Sequence, residues 1–83
     1  MIDARISEAW QRALATFMVS EAPEFTEALS HVSDMASARF VAASIPMVDD
    51  PRFTDSAPTF ARLCCLEVAR DWILTNRHGL KRT

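Results

Sequence analysis

At 83 residues, with 49% hydrophobic and 24% charged side chains, the chain has the balance of one small globular domain and lacks the low-hydrophobicity, high-charge signature of disorder. No apolar run approaches the ~18 residues needed to cross a bilayer, and MIDARISEAWQR has no basic stretch leading into an apolar core, so the expectation is a cytoplasmic protein with no signal peptide, no membrane partner and reduced thiols. The net charge of −2 is uneven: residues 1–61 carry four Arg against nine Asp and Glu, a net of −5, and residues 62–83 carry five Lys and Arg against two acids, a net of +3.

One Gly, no Tyr, abundant Ala and few β-branched residues favour helix over strand. The first predicted helix runs over about 4–20. Asp3 can cap it by accepting from the free amides of the first turn. Ile6, Trp10, Ala13, Leu14 and Phe17 recur at three- and four-residue steps, with Glu8, Gln11 and Arg12 opposite. The second runs over about 23–44. Pro23 suits a first helical position, where an amide is not needed, and Glu24 and Glu27 sit near the positive end of the helix dipole. Phe25, Leu29, Val32, Ala36, Phe40 and Ala43 form its stripe, and Pro46 ends it.

The stretch 46–57 is predicted to be the connecting segment, in which Asp50 before Pro51 can cap a single turn through Phe53. The third helix is predicted over about 57–78, capped by Asp55 or Ser56 and closed by Gly79 in the left-handed conformation, leaving 79–83 as a short basic tail. Ala61, Cys64, Cys65, Val68, Ala69, Trp72 and Ile73 make an arc wide enough to face two other helices. Phe60, Leu63 and Leu74 fall outside that arc, among Glu67, Arg70 and Asp71, as apolar surface in excess of what a core position requires. The expected architecture is all-α, a compact three-helix bundle forming one domain over 1–83.

Chemistry is sparsely signalled. Adjacent Cys64 and Cys65 point about 100° apart on a helix, so they cannot hold one ion together, and no CxxC spacing is present. The expectation is no metal, no cofactor and no catalytic residue, with both thiols acting as small core side chains. His31 stands four residues after Glu27 and three before Asp34, which reads as a solvated ion-pair cluster. Glu67 and Asp71 share a face, with Arg70 between them expected to neutralise it. A single Gly rules out a Gly-rich phosphate loop.

Two binding readings follow. The leading one is a non-catalytic protein-interaction module, a regulator, inhibitor or adaptor and possible homodimer, with Phe60, Leu63, Glu67, Arg70 and Leu74 as the interface. Glu21, Glu24, Glu27, Asp34, Asp49 and Asp50 form an acidic surface that either solubilises the chain or imitates a nucleic-acid backbone. Small accessory proteins of phages and plasmids are often of this kind, and the use of eight Arg to one Lys points to a GC-rich genome. The alternative is a nucleic-acid-associated factor contacting phosphates through Arg70, Arg77, Lys81 and Arg82, or a small accessory subunit of a larger complex; the acidic whole-chain charge weighs against strong nucleic-acid binding.

Overall fold

The computed structural model describes the backbone of residues 2–81 and the side chains of residues 2–76. It contains three helices, α1 (Ala4–Ser20), α2 (Pro23–Ser44) and α3 (Phe53–Lys81), packed on one another as an all-α three-helix bundle. The first two helices occupy the spans expected from sequence. Asp3 caps α1 by accepting from the Arg5 amide at 2.8 Å. Pro23 opens α2. Contacts between Trp10 and Phe40, between Phe40 and Phe60, and between His31 and Trp72 run α2 antiparallel to both neighbours.

The third helix differs at both ends. It begins at Phe53, four residues before the expected start. The cause is Asp50: its Oδ1 accepts from the Arg52 amide at 2.8 Å, and its carbonyl accepts from the Phe53 amide at 2.9 Å. The cap expected for a single turn therefore opens α3 itself, and neither Asp55 nor Ser56 is the cap. Pro58 sits inside the helix. It removes only its own amide, so the bond lost is the one to the Thr54 carbonyl; both residues are exposed, where water can replace that bond. At the other end the helix continues through Gly79 to Lys81, and no described glycine has positive φ. The connection shrinks to 45–52, a chain of turns in which Met47 bonds back to Ser44 and Asp50 to Met47.

The core gathers Ile6, Trp10 and Phe17 from α1, Ala28, Leu29, Ala36 and Phe40 from α2, and the α3 residues Phe53, Ala57, Ala61, Cys64, Cys65, Val68 and Ala69. Most of the α3 contribution is small, which brings both partner helices close. Trp72 and Ile73 are only half-buried and pack against the edge of this core. Inside α2, Val32 has non-helical angles (φ −133°, ψ 22°), a kink placed just after Ser30, whose hydroxyl donates to the Glu27 carbonyl at 2.6 Å. Ser44 is buried at the end of α2, and its hydroxyl has no hydrogen-bond partner among the described residues.

Phe40 is fully buried and its ring packs against both Trp10 and Phe60. Phe40→Ala is expected to cost about 3–5 kcal/mol of unfolding free energy, because it removes transfer energy and leaves a cavity between three helices. Urea unfolding followed by circular dichroism measures it; a cost under ~1 kcal/mol would mean that this position is not central to the core.

Candidate protein-interaction surface

The outer face of α3 stays open. Phe60 is 38% exposed, Leu63 52% and Leu74 57%, although α3 supplies half of the buried hydrophobic core. Glu67 and Arg70 are exposed between them. The connection covers one flank of Phe60: its ring shares an apolar recess of about 220 Å³ with Ala43, Ser44, Met47, Phe53 and Ala57. Sequence periodicity did not single out Met35, at 56% exposed, or Met47, at 50%, which extend the apolar surface along the α2 side of the same seam. The signal was present as an i, i+4 series on α2, Met35–Arg39–Ala43, continuing into the turn at Met47.

The electrostatics of this face depart from expectation. The cation on Glu67 is Arg39 of α2, at 3.4 Å, and not Arg70. Sequence spacing cannot reveal such a pair, because it depends on how two helices cross. Arg70 makes no ion pair among the described residues. His31 does not join an ion-pair cluster with Glu27 and Asp34; its ring stacks on Trp72 with centroids 4.6 Å apart and planes 4° from parallel. The half-buried indole offers a flat face at the kink of α2, and the imidazole covers it.

Most acids proposed as a separate negative surface have partners inside the fold. Glu21 receives a two-pronged contact from Arg62 at 3.1 and 3.2 Å, tying the α1–α2 junction to α3. Asp49 takes Arg5 at 3.0 Å, and Asp50 takes Arg52 at 3.0 Å. Glu24 is also engaged in an interaction. Glu27 and Asp34 are exposed and make no ion pair among the described residues. The basic candidates Arg77, Lys81 and Arg82 lie outside the residues whose side chains are described.

Arg5 links two helix starts. It forks onto Asp3 of its own cap, reaches Asp49, and donates to the Val48 carbonyl at 3.4 Å. The side-chain hydrogen bond from Arg5 holds the Asp3 carboxyl below its ordinary value, and that from Arg52 does the same for Asp50. Both acids are therefore ionised preferentially in the folded chain. Any stability they supply is full above the ordinary carboxylate range and is lost as pH falls below it. A groove of about 370 Å³ lies beside this junction, bounded by Arg5, Glu8, Arg12 and Asp49.

Cys64 and Cys65 are free thiols buried in the core. Burial raises both, with Glu67 adding to the effect on Cys64, and Cys65 is pushed up to about 11. Neither is a thiolate at neutral pH, so neither is an activated nucleophile. Among the described residues no three His, Cys, Asp or Glu side chains converge as a metal site, and no helix is long and apolar enough to cross a membrane. No protein-family model, curated protein or solved structure matches the chain.

The raised thiols give an alkaline prediction. Between about pH 9 and 11 the unfolded chain releases a proton that folded Cys65 keeps, so folding stability falls with pH in that window, by up to the order of 2 kcal/mol. Urea midpoints measured across it should decline in the wild type and flatten in Cys65→Ala. A decline of the same size in the variant would assign the effect to other groups.

Proposed function

We propose that the chain is a small non-catalytic protein-interaction module that binds another protein chain through the outer face of α3. The observation that carries this reading is the exposure of Phe60, Leu63 and Leu74 on one face of a helix whose opposite arc is closely packed. Exposed apolar side chains gathered on one helix face and rimmed by charge are a mark of contact sites. Its charged neighbours Glu67 and Arg70 suit a rim that selects a partner by sign, with Arg70 making no ion pair among the described residues. A regulator, inhibitor or adaptor role is consistent with buried, protonated thiols and with the intramolecular use of Asp49, Asp50 and Glu21. Two free thiols in the core suit a reducing compartment such as the cytoplasm.

Leu63→Glu tests the surface. The wild type is expected to run in size-exclusion chromatography with light scattering above the mass of a single chain, alone or with a co-purified protein. The variant is expected to lose that association at least about tenfold, because a carboxylate is forced into an apolar contact. Its far-UV circular dichroism should be unchanged and its stability within about 0.5 kcal/mol, as for other surface substitutions. Unfolding of the variant would place Leu63 in the core, and undiminished association would move the contact elsewhere. The ratio of absorbance at 260 and 280 nm in the same run tests nucleic acid as the partner: a raised ratio that Leu63→Glu leaves intact would favour the basic C-terminal residues.

A further inference from the structure

The outer face of α3 has an internal symmetry that identifies its occupant. Phe60, Leu63, Glu67, Arg70 and Leu74 follow one another at steps of three, four, three and four, the spacing of a helix–helix seam. All five are exposed on the long helix Phe53–Lys81. Reversing the helix about a two-fold axis between positions 68 and 69 exchanges 63 with 74 and 67 with 70. Leucine then meets leucine, and acid meets base, throughout the central four positions.

From this pattern we infer that α3 pairs with a second copy of itself, antiparallel and isologous, with Leu63 against the partner's Leu74 and Glu67 against the partner's Arg70. This deepens the interaction reading above and rests on it. A two-fold contact must be self-complementary, since the same patch serves both copies. Here the two-fold generates two leucine layers enclosing two opposite-sign pairs. A parallel pairing would set Glu67 beside Glu67 and Arg70 beside Arg70, so the sign pattern selects the antiparallel arrangement.

The charges within each protomer fit this geometry. Glu67 is held from one side by Arg39 of its own chain at 3.4 Å, and its side chain remains 68% exposed. Arg70 has no ion-pair partner among the described residues, and the second copy supplies one. Each Glu67 then lies between its own Arg39 and the partner's Arg70. The exposed Met35 and Met47 flank the seam on the α2 side and are placed to add adaptable apolar contact at its margins.

Charge reversal tests the register. Glu67→Arg gives a protomer with two cations at the centre of the seam, and Arg70→Glu one with two anions. Each alone is expected to weaken self-association by about tenfold or more, as like charges at an interface do. An equimolar mixture of the two is expected to form a heterodimer at least as tight as the wild type, and the double variant E67R/R70E to return to within about threefold of it, since the pairs are restored with signs exchanged. Sedimentation velocity over a concentration series, with circular dichroism on every variant, reads all four. If Glu67→Arg disturbs the bundle by repelling Arg39, Arg70→Glu and its rescue in the double variant carry the test. Singles that dissociate without rescue in the mixture or the double would overturn the antiparallel pairing while leaving the α3 face in use. A wild type that stays monomeric at about 100 µM would overturn the second copy as occupant, and the Leu63→Glu comparison on any co-purified complex then decides the interaction reading separately.

Discussion

Everything else in this molecule depends on the small-residue arc of α3. Ala57, Ala61, Cys64, Cys65, Val68 and Ala69 put little volume between α3 and its neighbours, so α1 and α2 supply most of the large core side chains, Ile6, Trp10, Phe17, Leu29 and Phe40, with Phe53 the large one from α3. Interiors pack to nearly crystalline density, so bulk on one side of a contact demands smallness on the other. This division explains the paired cysteines. A thiol is slightly larger than a methyl group, tolerates an apolar setting, and here stays protonated because burial raises its pKa. Both thiols are buried in the one core cluster that the three helices share.

The same constraint produces the exposed face. Two neighbours cannot enclose a helix, and α3, at 29 residues against 17 for α1, is longer than its neighbours can cover. At about 1.5 Å per residue the two spans are about 43 and 26 Å. Trp72 and Ile73 are half-buried, with His31 of α2 stacked on Trp72, and Leu74 is open on the outer face with Phe60 and Leu63. A chain of this size buries a limited fraction of its surface, and association is a common way for small folds to bury more. The apolar excess on α3 is thus a consequence of architecture as well as the surface proposed for binding.

Much of this was legible in the residues. The spans of α1 and α2 followed from Asp3, Pro23 and Pro46, each of which acts within one turn of its own position. The stripe of core residues followed from periodicity, as did the position of Phe60, Leu63 and Leu74 outside the buried arc. The start of α3 lies four residues before the one expected from Asp55 or Ser56 as cap, because Asp50–Pro51–Arg52 carries the same acid-x-arginine cap as Asp3–Ala4–Arg5. That repeat is visible in sequence once the first cap is understood. Three features were not legible: Arg39 on Glu67, Arg62 on Glu21, and His31 stacked on Trp72. Each joins residues 28 or more positions apart, and no local pattern states how far one helix slides along another.

The charges at the centre of the α3 seam bear on what kind of contact it can make. A purely apolar stripe sticks to many surfaces and carries no preference for register. In the proposed pairing, Glu67 and Arg70 at two middle positions sacrifice apolar area and disfavour most alternative alignments, since any slide that brings like charges together leaves them poorly solvated. The ion pair itself need contribute little, because exposed pairs gain little over water. Its value lies in what it forbids. The self-contained pairs Arg5–Asp49, Arg52–Asp50 and Arg62–Glu21 point the same way. They commit Arg5, Arg52 and Arg62 to holding turns and helix starts in place, whereas Arg70 makes no ion pair among the described residues.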